Sequence, residues 1–371
     1  MRKFLSLMAI AAMVLTMAGV MTSCGDEPEQ GPFQIKVEAL DKRVHIVVTA
    51  QDEEKEVLLF CPRKSIVDQK GGIQTYTENA LRNLPYADML ETETVFKKQY
   101  DEVLTAVAGT EFIAAACYIE KDENGYVKML STVSSKEFTT MPEYALNGEF
   151  SISADKKVHF SQSNLETSSG QSYFFFDHQY DYHGSATEKP IDLFPWSTVG
   201  TFSTSAWFVP SADEWFYLFR QREHAANLFT FATITVNGKD YCGIILLPDN
   251  WQIPKGIHLL TPAEINIVWN EETLSYKYMP STEYDGYSHN KYTKEEWEKL
   301  EFAGAVFLPA AGYGTFAGTD GFYWSSTASN AAETEARAFF FQPQAISFKY
   351  LKQYGYNAED THSIRPVREV K

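Results

Sequence analysis

The sequence predicts a β-rich chain of two domains, the first all-β with a helical stretch inserted and the second of α+β type. Three observations predict this. Residues 33–60 and 112–138 carry apolar residues at every second position or in short continuous runs, the patterns of half-buried and fully buried strands. Between them, Phe96, Tyr100, Val103 and Val107 are spaced four, three and four apart, which gives one helical face. Beyond residue 143, Ser211 with Glu214 and Thr293 with Glu296 form two capping boxes, each starting a helix among short apolar segments that end in proline.

Ahead of the first strand, Arg2 and Lys3 precede an apolar run from Phe4 to about Met21, and Thr22, Ser23 and Cys24 follow. A basic start, an apolar middle and small residues before a break mark a secretory signal. A run of about 18 apolar residues is also long enough to span a bilayer. Small residues before a cysteine at the end of the run resemble a lipobox, although Met21 and Thr22 stand where Leu and Ala are commoner. The resemblance implies a lipoprotein signal peptide over residues 1–23 and diacylation of Cys24, a two-chain anchor that holds stably where one chain does not. Residues 24–32, with Asp26, Glu27 and Glu29, are a solvated acidic tether. They resemble the tether of surface-exposed lipoproteins of Gram-negative gut anaerobes, which implies an outer-membrane location facing outward.

The mature chain, roughly 350 residues, allows two or three domains. Lys and Arg total 32 against 49 Asp and Glu, a net charge of −17. An acidic chain without basic clusters repels phosphate backbones, so nucleic acid is not expected as a partner. Cys61 and Cys117 fall in the first domain and Cys242 in the second. An exported setting permits a Cys61–Cys117 disulfide, but two buried free thiols are the favoured reading. No CxxC or Cys/His cluster supports zinc, and no cofactor is expected.

In the first domain, residues 33–140, Ile35, Val37 and Ala39, then Val44, Ile46 and Val48, alternate with polar residues. Residues 56–61 make a further strand. Residues 112–119 are apolar on both faces, as a central strand is. Asn124-Gly125 reads as a hairpin turn, with one returning strand over residues 127–138. This set, with its Glu-Phe-Thr-Thr ending at Thr140, resembles a fibronectin-type-III-like sandwich, which implies an all-β sandwich with a helical insertion between Arg63 and Val107. No acid/base pair or nucleophile stands out, and the expected role is a spacer.

Residues 141–143 read as a linker and residues 144–371 as the second domain. Phe150 and Ile152, then Val158 and Phe160, predict two strands around a turn at residues 154–156. Trp215, Leu218 and Phe219 share one face of the first capped helix, and Trp297 and Leu300 belong to the second; all are expected in the core. The segments Pro210–Trp215, Leu246–Asp249, Phe307–Gly312, Tyr323–Ser326 and Ser363–Val367 resemble a C-type-lectin-like domain of the "major paralogous domain" family of exported bacterial proteins. The resemblance implies an α+β module with two helices, a twisted antiparallel sheet, adjacent termini and a variable loop face. Trp324 is expected on a central strand. Arg365, held extended by Pro366, is expected to pair with a carboxylate.

The lectin-like resemblance implies binding of a protein or glycan. The calcium-dependent motifs of that fold are met only loosely by Gln342-Pro343-Gln344 and Trp269-Asn270-Glu271, and calcium needs about six to eight oxygens, so no metal is expected. The formylglycine-generating enzymes look similar around Pro210–Trp215, but Cys242 stands alone where they use a cysteine pair, so no enzymatic activity is expected. His178 and His183 flank Tyr180-Asp181-Tyr182 with no third ligand and read as a loop. A pilus-associated or envelope-assembly subunit stays open beside an adhesin.

The expected contact surface follows Trp324. Tyr350, Tyr354 and Tyr356 alternate with Lys349, Lys352, Gln353 and Asn357, and Asn330 and His362 are near in sequence. Tyrosine offers a large amphipathic surface at little rotamer entropy and Asn adaptable hydrogen bonds, the mixture of recognition loops. Packing of the tyrosines on their own hairpin is the alternative. For the anchor, metabolic labelling with a fatty-acid analogue is expected to mark the protein and to be lost in Cys24→Ser; label that persists in the variant contradicts the assignment.

Overall fold

The computed structural model describes residues 31–82, 94–121, 127–167, 172–183, 192–202, 206–278 and 285–371. Strands make up 41% and helices 18%, so the chain is β-rich as its alternating pattern predicts. Cys24 and the Asn124-Gly125 turn lie outside the described residues. Among those described, no helix is long and apolar enough to cross a membrane.

Strands Phe33–Ala39 and Arg43–Ala50 pair antiparallel, with Phe33 opposite Ala50 and Ala39 opposite Val44. Gln99–Thr105 adds to the second. The alternating residues Phe33, Ile35, Val44, Ile46 and Val48 are buried. A second sheet is built around Glu111–Lys121, which pairs with Glu56–Phe60 on one side and with Ser134–Thr139 and Val127–Met129 on the other. Its apolar residues on both faces have two destinations. Phe112, Ala114, Ala116 and Tyr118 pack with the first sheet. Ile113, Ala115, Cys117 and Ile119 pack under two helices, Lys64–Gln69 and Ile73–Arg82. Cys61 belongs to the first of these clusters and Cys117 to the second, so the thiols face opposite sides of the sheet. Both are free, and burial pushes each up to about 12.

Two expectations fail here. No helix joins Phe96 to Val107: Thr94–Phe96 and Gln99–Thr105 are strands. Phe96 pairs with Val57 in the second sheet, Tyr100 and Val103 pair with Val48 and His45 in the first, and Val107 lies beyond the strand, so no single face holds the four residues. Phe96 and Tyr100 pack on the core, while Val103 and Val107 are exposed. The inserted helices lie earlier, at residues 64–82. The single return strand over 127–138 is also two strands, Val127–Met129 and Ser134–Thr139. Residues 130–133 oppose only Cys117 and Tyr118, so the ladder bulges there, and Ser131 Oγ accepts the Tyr118 N–H at 3.0 Å.

Residues 32–371 form one compact unit. The turn Leu40–Lys42 of the first hairpin reaches across residues 141–143. Leu40 is buried among residues of the C-terminal half. Asp41 Oδ2 accepts the Tyr144 N–H at 2.9 Å, and Arg43 pairs with the nearly buried Glu301.

In the C-terminal half, Phe150–Ser151 and Lys157–Phe160 pair as expected, and Val367–Glu369 joins them from the far end of the chain. A four-stranded sheet holds Lys291–Thr293, Phe229–Val236, Lys239–Leu246 and Val306–Pro309. A six-stranded sheet runs from Ile267–Asn270 through Ser275–Tyr278, Ala345–Ser347 and Glu335–Gln342 to Gly321–Ala328, with Tyr356–Asn357 on the free part of Glu335–Gln342. Both capping boxes form, starting Ala212–Phe216 and Lys294–Phe302. A π turn, Tyr217–Gln221, continues the first. Trp215, Leu218, Phe219, Trp297 and Leu300 are all buried.

Trp324 is buried, but Gly321–Ala328 is the last strand of its sheet, not a central one. Its cover comes from Leu165, Phe194, Val199 and Ile364, and its indole N–H donates to the Phe194 carbonyl at 2.7 Å. Arg365 lies outside any helix, as expected, but meets no carboxylate. Its guanidinium donates to Gln179 Oε1 at 2.8 Å and to the Phe307 carbonyl at 3.3 Å. The same Gln179 donates from Nε2 to Glu301 Oε1 at 3.0 Å, and Glu301 Oε2 accepts from Arg43. An amide therefore stands where a carboxylate was expected, and the carboxylate is one residue further along. Glu301→Ala leaves Arg43 without its acceptor, takes one of the two acceptors of Gln179 Nε2 and removes the anion nearest Arg365. The expected loss is on the order of 3 kcal/mol, read from urea unfolding; an unchanged midpoint contradicts the network.

Candidate functional site

The residues expected to make contact are brought together in part. Lys349–Lys352 is one helical turn and Tyr356–Asn357 a short strand, so the segment is not a simple hairpin. The ring of Tyr354 lies 5.9 Å from Tyr350, and Tyr350 stacks on Tyr356 at 4.4 Å. Tyr356 meets His362 edge-on at 4.7 Å. His362 then stacks on Phe322 at 5.3 Å, and Phe322 meets Phe316 at 6.3 Å. Six rings from three separate segments thus form one row. Its two ends, Tyr354 and Phe316, are 52% and 51% exposed; of the four rings between them His362 is buried and Tyr350, Tyr356 and Phe322 are half-buried.

At the Tyr354 end lies an open cleft of about 320 Å³, lined by Ser329, Glu335, Lys349, Tyr350, Gln353 and Tyr354. Gly355 forms the rest of its wall. A Cβ at Gly355 would stand 2.5 Å from the Ser329 Cβ, so the close approach of the two segments requires glycine. Lys349 holds its ammonium 5.2 Å from the centre of the Tyr354 ring. A second cleft, of about 460 Å³, shares Glu335 and is lined by Glu333, Asn357 and Glu359 among others.

Asn330 and Asn357 serve the backbone. Asn330 Oδ1 accepts the Thr334 N–H at 3.1 Å and closes the turn before Glu335–Gln342. Asn357 Oδ1 accepts the Glu359 N–H at 3.0 Å. Tyr356 is half-buried on its strand, and burial pushes its hydroxyl up. His362 is 6% exposed, and burial lowers its imidazole to about 4. Sequence reasoning missed Phe316, Phe322 and Glu335. The only signal of the two phenylalanines is an aromatic near a glycine or a turn, which many core residues share, and Glu335 has none.

Other groups carry less chemistry. Cys242 is half-buried, its sulfur 3.6 Å from Thr233 Oγ1, and burial raises its thiol. His178 pairs with Asp181 at 2.9 Å and His183 with Glu166 at 3.4 Å, each a single pair. Pro343 and Gln344 form the turn after Glu335–Gln342, where their carbonyls accept the N–H groups of Gly286 and Tyr278. Among the described residues no cluster of three His, Cys, Asp or Glu could hold a metal ion. No protein-family model matches the chain, and no curated protein or solved structure matches it.

The buried imidazole makes stability depend on pH. His362 protonates near 6.5 when exposed and only near 4 in the fold, so the unfolded chain takes up the proton first. Stability is expected to fall as pH drops from 6.5 to 4 and to level off below, by on the order of 3 kcal/mol. Unfolding of the native chain and His362→Phe, compared from pH 7 to pH 4, reads this directly. A difference that is constant with pH contradicts a buried neutral imidazole.

Proposed function

We propose that this chain is an exported, lipid-anchored binding protein that presents a recognition edge to a protein or glycan at the outer surface of a bacterial cell. The observation that carries the recognition reading is the row of six rings with both ends exposed. Aromatic rims beside polar clefts offer large, rigid contact area at little entropic cost. Ser329, Glu335 and Gln353 line the Tyr354 cleft, so hydrogen-bonding groups of both kinds stand next to the rings. The anchor reading rests on the basic-apolar leader and Cys24.

We read the N-terminal half as a fibronectin-type-III-like sandwich with helices inserted at residues 64–82, serving as a spacer. We read the C-terminal half as a C-type-lectin-like domain of the "major paralogous domain" family. Two sheets around one shared core favour the first reading. Two capped helices, and the pairing of Lys157–Phe160 with Val367–Glu369 near the chain's end, favour the second.

The test is a screen of the chain from Phe33 against glycans, mucins and matrix proteins, followed by substitutions against the ligand found. Tyr354→Ala and Tyr350→Ala are expected to weaken binding by about 2 kcal/mol, roughly 30-fold, with melting little changed. Tyr356→Ala is expected to lower melting as well, because its ring is packed. Full affinity in both Tyr350→Ala and Tyr354→Ala places the contact elsewhere.

A further inference from the structure

Where the two halves of the chain meet, a histidine stands between two carboxylates. Arg43, His45 and Val47 alternate with the buried Val44, Ile46 and Val48, so their side chains leave Arg43–Ala50 on the face away from the N-terminal core. Glu38 is directly opposite His45 on the neighbouring strand, and Asp101 reaches it diagonally from Gln99–Thr105. His45 Nδ1 lies 3.0 Å from Glu38 Oε2, and Nε2 lies 2.8 Å from Asp101 Oδ1. The C-terminal half covers the ring with Phe302, whose centre is 5.5 Å away. Phe302 is itself buried with Leu146 and Val306. The Arg43 guanidinium lies 5.5 Å from the same phenyl ring and pairs with Glu301, the residue before it.

The protonation state follows from the two contacts. An ionised carboxylate only accepts, and a neutral imidazole has a single N–H, so it serves one acid and turns a lone pair to the other. The imidazolium, with a proton on each nitrogen, makes both contacts. Two acids on one face of a sheet also repel unless a cation stands between them. The other charged groups around the ring are already engaged. Lys36 pairs with Glu38 at 2.8 Å, and Arg43 pairs with Glu301. On the covering helix Lys294–Phe302, Glu301 also accepts from Gln179, and Glu298 is taken by Lys294. The hydrogen bond to Glu38 holds the imidazole above its usual 6.5 against the cost of burial, and Asp101 adds to it.

We propose that His45 is a proton-dependent clasp between the two halves: as an imidazolium it ties Glu38 to Asp101 and presents a cation to Phe302, and on losing a proton it releases one acid and loosens the junction. The proton passes to solvent, which reaches the ring because the side chain is 21% exposed. One acid is then left facing a lone pair, on a face that also meets Glu298 and Glu301. The folded chain holds this proton more tightly than the unfolded chain does. The contribution of the clasp is therefore whole below pH 6.5 and is lost as pH rises through the higher midpoint of the folded chain. His362 acts in the opposite sense, weakening the fold as pH falls below 6.5. The clasp does not depend on the recognition edge having a ligand.

The test is an NMR titration of residues 32–371, the compact unit, from about pH 5 to about pH 9, a range that brackets an ordinary imidazole. The His45 Hε1 proton is expected to titrate with a midpoint above 6.5. The ring protons of Phe302 and the Tyr144 N–H, which Asp41 accepts across the junction, are expected to shift with that same midpoint. Asp101→Asn, at a side chain 56% exposed, spares the fold and is expected to lower the His45 midpoint. Urea unfolding of the native chain and of His45→Gln over the same range gives the stability of the clasp. The gap between the two chains is expected to be constant below pH 6.5 and to narrow above it. His362 is present in both chains and cancels. A His45 midpoint at or below 6.5, Phe302 and Tyr144 signals that ignore the titration, a midpoint unmoved by Asp101→Asn, or a gap independent of pH overturns the proposal.

Discussion

The C-terminal half is organised around a fully buried guanidinium. Arg365 is 0% exposed, and burial lowers it to about 10, so it keeps its charge at neutral pH. A buried charge is tolerated only where polar groups of the fold hydrogen-bond to it. Gln179 supplies the aim. Its Oε1 accepts from Arg365 and from the Phe307 N–H at 2.8 Å, which leaves Nε2 to donate to Glu301 and to the Ala305 carbonyl. The amide can therefore stand in one orientation only. Glu301 lies in the helix Lys294–Phe302 and Phe307 in the strand Val306–Pro309, so the relay locks a helix, a strand and the C-terminal segment together. Through Arg43 it also takes hold of the N-terminal hairpin.

The exposed edge depends on the same interior. Trp324 belongs to a buried cluster with Phe194 and Ile364, the residue just before Arg365. It also lies against His362, the buried ring of the row. Contacts at the edge are thus built on a side chain that cannot move without disturbing the core. That rigidity suits recognition, because a rim held in place loses little entropy when it is covered.

What was legible in the sequence was local. Both capping boxes are read from two residues three apart, and both form. The paired strands of the first hairpin follow from simple alternation. The misreading of Phe96 to Val107 has a physical cause, since residues three and four apart also occur across successive strands, and only the partners decide, Glu56–Phe60 for Phe96 and Arg43–Ala50 for Tyr100 and Val103. Arg365 was legible as extended but not in its burial or its partners, because Gln179 is distant in sequence and nothing marks it locally. The candidate site shows the same limit. Tyr350, Tyr354, Tyr356 and His362 are near in sequence and their rings meet, whereas Phe316 and Phe322 join them only through folding. The side-chain oxygens of Asn330 and Asn357 accept backbone N–H groups, which residue type alone does not announce.

Arg365 closes the C-terminal half across long stretches of chain. Its acceptors come from residues 179 and 307, and the strand that follows it, Val367–Glu369, completes a sheet begun at Phe150. Pairings this distant along the chain close slowly, because a long loop must be ordered before any contact is made. Separation of this kind sets the pace at which the C-terminal half folds far more than the strength of the finished structure.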